Sequence, residues 1–205
     1  MHREILSGNQ IKLLPLVRQF KREYYLAGGT AVALYVGHRR SVDFDLFKVN
    51  PLNHTKIISK ISAFGKTYKV TRRVSEQMNV NILDVKFTFF EYPFRIEAKN
   101  GFENYLRMPE LIDLAAMKAY ALGRRSKWKD YVDMYFILKY FYSIEQISKS
   151  ANEIYDQLFS EKLFRVQLSY FKDIDHSEPI EYIAPPVSED EVKEFLIDKA
   201  TDFEI

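Results

Sequence analysis

The sequence predicts an α+β fold, with strands crowding its first half and helices filling its second. Short β-branched and aromatic runs bounded by glycine and asparagine lie within residues 24–92. From Pro109 onward apolar side chains recur at helical spacing almost to the end. Pro93 and Pro109 punctuate the change, which predicts a core over 1–108 and a helical subdomain over 109–205 that closes against it.

The elements follow in order. Ser7 is a candidate cap for a helix over 8–22, whose apolar positions Ile11, Leu14, Val17 and Phe20 recur every three residues and whose Pro15 is a candidate kink. Residues 24–27 read as a short buried strand, and Gly28-Gly29-Thr30 turns it into a short apolar helix over 30–36 that stops near Gly37. Residues 41–49 read as a strand and 51–64 as a helix. Strands over 66–75 and 79–92 come next, with a turn or bulge within 81–84. Helices are expected at 110–123, 129–141, 144–157, 160–171 and 189–200, the last preceded by a loop carrying Pro179, Pro185 and Pro186.

Composition narrows the class. The chain has 205 residues, 47% of them hydrophobic, enough for a sizeable core and too apolar for disorder. No apolar run approaches the roughly 20 residues of a membrane helix, and Met1-His2-Arg3-Glu4 leads into no signal-peptide segment. The absence of cysteine excludes disulfides and cysteine-bound zinc and is compatible with a cytoplasmic setting. Net charge is only +2, but a basic front (Arg3, Lys12, Arg18, Lys21, Arg22, Arg39, Arg40) contrasts with an acidic end over 175–205. These are either two solvated surfaces, or a polyanion-steering face and an acidic segment that binds a partner or folds back over it.

Three local patterns carry chemistry. In Ser41-Val42-Asp43-Phe44-Asp45-Leu46-Phe47, strand alternation sends Asp43, Asp45 and Phe47 one way and Val42, Phe44 and Leu46 into the core. The two carboxylates, roughly 6–7 Å apart at Cα by strand rise, repel each other unless a cation such as Mg²⁺ or Mn²⁺ sits between them; an exposed sheet edge is the ordinary alternative. The Gly28-Gly29-Thr30 turn opens a helix whose amides, with the Thr30 hydroxyl, suit a phosphate, although a plain tight turn with a threonine cap has the same sequence. His38, Arg39 and Arg40 lie in the return from that helix, placed to contact a triphosphate or a nucleic-acid backbone, although a solvated basic loop is equally ordinary. Finally, Lys118 falls within the apolar stripe of Leu111, Leu114, Ala115 and Leu122 and needs an anionic partner. Asp130, at the head of the next helix, meets that need across a helical hairpin, unless it and Asp133 merely complement the helix N-terminus.

Ala27-Gly28-Gly29-Thr30-Ala31, Gly37 through Phe47, Leu114 through Lys118, Arg124 and Lys129 through Tyr135 together resemble the AbiEii/AbiGii toxin-type nucleotidyltransferases over about residues 20–140. The resemblance implies a polymerase-β-like nucleotidyltransferase core with a mixed sheet. It implies transfer of a nucleoside monophosphate from an NTP, with Mg²⁺ (or Mn²⁺), to an acceptor such as the 3′ end of tRNA. It also implies the toxin of a toxin–antitoxin or phage-defence pair, with a cognate antitoxin as partner. Position by position, Asp43 and Asp45 stand as metal ligands, Gly28, Gly29 and Thr30 as the phosphate turn, Lys118 as the nucleotide-binding lysine and Asp130 as the downstream acid. One departure is visible. The strand 85–90 lacks the third carboxylate usual in this superfamily, leaving Asp84, Glu91, Asp130 or none for that role. Transfer to a protein or a small molecule such as an antibiotic, and nucleotide binding without turnover, stay open as alternatives.

Overall fold

The computed structural model describes residues 1–122 and 124–202. After a single 3-10 turn comes α1 (Gly8–Arg18), started by a capping box in which Ser7 Oγ accepts from the Gln10 amide and the Gln10 side chain accepts from the Ser7 amide. It ends before the predicted residue 22 because Phe20 and Tyr24 turn inward onto Phe89. Its buried face is Leu13, Leu14, Leu16 and Val17, and Ile11 is exposed.

The buried strand β1 (Tyr25–Ala27) runs straight into α2 (Gly28–Val36). Gly28, at φ +67°, turns the chain in place, and Gly37, at φ +73°, ends the helix. Ala27, not Thr30, occupies the cap position, without a side-chain bond. Next come β2 (Phe44–Lys48), α3 (His54–Ala63), β3 (Tyr68–Val74), β4 (Gln77–Ile82) and β5 (Val85–Glu91). Leu83 and Asp84, both at positive φ, make the turn expected within 81–84. Two further strands, β6 (Asn100–Phe102) and β7 (Leu106–Met108), were not anticipated; at three residues each they are too short for alternation to show.

The strands form one mixed sheet in the order β3-β4-β5-β2-β1-β7-β6, with β2 parallel to β5, β1 parallel to β7, and the other pairs antiparallel. The short strand β2 is therefore central, flanked by β5 and by the strand that leads into the glycine turn. The helices α4 (Leu111–Leu122), α5 (Trp128–Tyr140), α6 (Ile144–Tyr155), α7 (Glu161–Leu168) and α8 (Glu189–Thr201) follow. Both α4 and α5 pack on α2, so the helical half is docked on the helix that leaves the glycine turn. A segment of the acidic C-terminal region returns across the molecule, with Tyr182 bridged to Arg39 and Asp175 to Lys127. Among the described residues no helix is long and apolar enough to cross a membrane.

Candidate active site

Asp45 lies in mid-sheet, paired with Ala27 on β1 and Thr88 on β5. Its carboxylate rests directly on the glycine turn: a Cβ at residue 28 would fall 2.0 Å from Asp45 Oδ2. Only glycine at 28 permits this contact, for its φ and for its lack of a side chain alike. Asp43 precedes the strand and lies 3.8 Å from Lys86 Nζ. Because β2 begins only at Phe44, Val42 does not share the core face with Phe44 and Leu46, as strand alternation had predicted, and is 44% exposed.

Burial pushes both carboxyls above the usual range. At Asp45 the neighbouring Asp43 adds to the rise, and at both positions Lys86 opposes it. Two crowded hard-oxygen groups that resist ionisation fit a divalent cation, which would remove the repulsion. Among the described residues no group of three or more His, Cys, Asp or Glu side chains is gathered to hold a metal. The protein's share of a coordination shell would then be these two carboxylates, in keeping with Mg²⁺, which keeps waters and takes substrate phosphates. Among the described residues no third acid joins them. Thr88 occupies the neighbouring place on β5, Glu91 pairs with Lys48 at the other end of β2, and Asp84 stands in an exposed turn.

Thr30 is 1% exposed, and its hydroxyl donates to the carbonyl of Asp43 and lies 2.9 Å from Ser41 Oγ. The hydroxyl that the sequence had suggested for phosphate is instead taken up within the protein, holding the chain leading to Asp43 against α2. Arg40 is corrected in the same way. Its guanidinium binds Glu181 at 2.8 Å and reaches the carbonyls of Ile5 and Leu6, which leaves it serving the returning acidic segment.

The lysine behaves as the apolar stripe demanded. Lys118 is 4% exposed, with Nζ 2.6 Å from Asp130 Oδ1 across the α4–α5 hairpin and 2.5 Å from Asp133 Oδ2. Asp130 also receives Arg125 at 2.9 Å. Burial would raise the Asp130 carboxyl, but Lys118 and Arg125 together hold it below the usual range. It is therefore an ionised anchor for cations and not a free base.

The larger part of this network was missed. Asp133, fully buried, accepts from Arg39 Nε at 2.7 Å and Nη2 at 2.9 Å and from His38 Nε2 at 2.7 Å. Burial alone would raise its carboxyl, but Arg39, Lys118 and His38 overcome that and drive it well below the usual range. His38 is pushed down by burial and donates as a neutral ring. Arg39 packs on Gly29, where an added Cβ would come within 2.9 Å of its Nη2. The signal was present in the sequence: Asp133 sits one turn after Lys129, directly before the apolar run Met134 to Leu138, and an acid buried there must be neutralised.

A cleft of about 400 Å³ opens beside the glycine turn. Gly28, Lys118, Arg124 and Arg125 supply its polar edge, and Phe47, Phe90, Phe94 and Met117 its apolar wall. Arg124 lies 3.5 Å from the centroid of the Tyr120 ring. Gly28 and Lys118 both line this cleft, and the Asp45 carboxylate lies against Gly28; Thr30, Asp43 and Asp45 are not among its lining residues.

With this geometry in place, known proteins give a consistent picture. The uncharacterized protein aq_aa25 of Aquifex aeolicus is 30% identical over 189 residues, covering 88% of each chain. The chain belongs to the same family. No protein-family model matches it. Among solved structures, a Helicobacter pylori protein assigned as a nucleotidyltransferase aligns with a TM-score of 0.58 at 17% identity, over 94% of this chain and 92% of that one. MenT4, a nucleotidyltransferase toxin of Mycobacterium tuberculosis, aligns with a TM-score of 0.60 at 13% identity, over 95% and 83%. The α+β fold is that of the nucleotidyltransferases, helical C-terminal half included.

Proposed function

We propose that this protein is a metal-dependent nucleotidyltransferase of the AbiEii toxin type, moving a nucleoside monophosphate from an NTP to the 3′ end of an RNA such as tRNA. The observation that carries this reading is the Asp45 carboxylate resting on the Gly28 turn, two residues after Asp43, while Gly28 also lines a cleft edged by Lys118, Arg124 and Arg125. In the reaction, the acceptor hydroxyl oxygen bonds to the α-phosphorus, the α–β bridging P–O bond breaks, and pyrophosphate leaves with that electron pair. A bound divalent cation supplies charge neutralisation at the attacking and leaving oxygens. Asp43 and Asp45 would hold it. Lys118, positioned by Asp130 and Asp133, faces the outer phosphates with Arg124 and Arg125. The hydroxyl proton passes to water at the open side, since Asp130 is tied to two cations.

Incubation with labelled NTPs, Mg²⁺ and total RNA tests this. Label should enter RNA, and Asp45→Asn should lower incorporation on the order of 100-fold or more. Label persisting at wild-type level in that variant would discard the mechanism. Thr88, beside Asp45 where a third acid would stand, favours one second reading, nucleotide binding without turnover. That reading expects an NTP- and Mg²⁺-dependent thermal shift with no label transferred to any acceptor. The toxin assignment expects growth arrest on expression, relieved by a cognate antitoxin.

A further inference from the structure

The outward face of β3, β4 and β5 runs from the acid pair to the free edge of the sheet and differs from the rest of the surface. Alternation sends Met78, Val80, Ile82, Phe87 and Phe89 into the core. The opposite face is ordered in cross-strand rows. One row is Asp45, Thr88, Asn79 and Arg72; the next is Lys86, Asn81 and Lys69, beginning 3.8 Å from Asp43. A third is Phe47, Phe90 and Gln77, with the two rings 5.1 Å apart. Three interstrand steps of about 4.8 Å make the face roughly 14 Å wide from β2 to β3.

Its chemistry is one-sided. Among residues 68–91 the cations on this face are Lys69, Arg72 and Lys86, Arg73 lying on the other side across from Met78 and beside His54, whereas the acids are confined to Glu76 and Asp84 in the hairpin turns and Glu91 at the end of β5. Lys69, Arg72, Asn81 and Lys86 are exposed. A flat sheet with cations for phosphates, amides for base edges and an aromatic pair for stacking suits a single strand, whose bases are free to lie on it. A duplex would present only backbone to such a face.

We propose that this face is the track along which a single-stranded RNA acceptor lies, entering over β3 and delivering its 3′ hydroxyl to Asp43 and Asp45. The proposal rests on the nucleotidyltransferase reading for its direction, but RNA binding is measured without turnover, so the two fail separately. Fluorescence anisotropy of the full chain with a labelled single-stranded RNA, over a series of KCl concentrations, compares wild type with Lys69→Glu/Arg72→Glu. Affinity should fall at least ~10-fold, and the slope of log K against log salt should shrink by about 1.4, from two lost phosphate contacts at ~0.7 each. The milder Lys69→Gln/Arg72→Gln pair should give an intermediate loss. The thermal shift with NTP and Mg²⁺ should be unchanged in both, which separates lost RNA contacts from a folding defect. Wild-type RNA affinity and salt slope in the charge-reversed pair would overturn the track. So would equal competition by duplex RNA, or abolition of the NTP shift by these substitutions.

Discussion

Asp133 ties the helical half to the glycine-turn half, and Asp133→Asn tests that role. Its carboxylate takes Arg39 through two nitrogens at 2.7 and 2.9 Å, His38 at 2.7 Å and Lys118 at 2.5 Å, with no exposure to solvent. Asparagine keeps the shape but removes the charge, and its NH₂ must face one of these donors. Breaking a buried ion pair by removing one partner costs about 3–5 kcal/mol. The figure for a single pair applies, because Lys118 keeps Asp130 at 2.6 Å and Arg39 is the cation left unpaired. At ~2–4 °C per kcal/mol for a chain of this size, Tm should drop by ~6–20 °C. Urea unfolding should show a lower midpoint with an unchanged slope. The acid limb is a second readout. A carboxyl held well below its ordinary value contributes stability that is present above that value and is lost as pH falls toward its folded-state pKa. The variant should therefore lose less stability than wild type on acidification. Asp43→Asn is the contrasting control: it relieves repulsion with Asp45 and should leave metal-free stability within about 1 kcal/mol of wild type or raise it. If Asp133→Asn unfolds within ~1 kcal/mol of wild type, or Asp43→Asn is equally damaging, the network is not what holds the halves together.

Gly28→Ala should destabilise by about 1–3 kcal/mol, since residue 28 sits at φ +67° and its new Cβ would meet Asp45 Oδ2 at 2.0 Å. It should also abolish the Mg²⁺- and NTP-dependent thermal shift, and retention of a full shift would show that Asp45 need not rest on the turn. Glu178 is lowered to about 2 by Lys127 and Lys129, so its hold on those lysines is present above pH 4.5 and lost as pH falls toward 2. Proteolysis of the 172–188 segment should therefore accelerate over that window in wild type, whereas Glu178→Gln should be susceptible throughout; identical cleavage of the two at neutral pH would count against the contact.

Most of the fold was legible because its long elements carry strong periodicity. The Lys118–Asp130 pairing was legible for a sharper reason: an ammonium on an apolar stripe must find an acid, and the next helix offered one at its head. Two kinds of feature escaped. Local patterns do not say where a hydroxyl points, so Thr30 looked like a phosphate ligand when its place between α2 and the Asp43 carbonyl makes it a brace. Nor does adjacency in sequence separate Arg39 from Arg40. One guanidinium turns inward to Asp133 and the other outward to Glu181, a choice made by the packing of α5 on α2.

The electrostatics of the site follow from how these pieces are joined. Arg39, Lys118 and the half-exposed Arg125 meet two buried carboxylates, Asp130 and Asp133, around a neutral His38, so the network carries one more cation than anion. That excess lies on the helical side of the cleft, where Lys118 and Arg125 line it. The sheet side of the cleft is apolar, and the acids lie beyond it: Asp45 rests on Gly28, and the nearby Asp43 adds to the rise that burial gives the Asp45 carboxyl. A ligand that reaches from the cleft past Gly28 to the acids must present negative charge to the helices and a cation to Asp43 and Asp45. A triphosphate carrying a divalent metal does this, whereas a bare anion would be repelled by Asp43 and Asp45 and a bare cation by Lys118 and Arg125. The same reasoning makes the docking of α4 and α5 on α2 a condition of binding, because without it the positive wall does not exist.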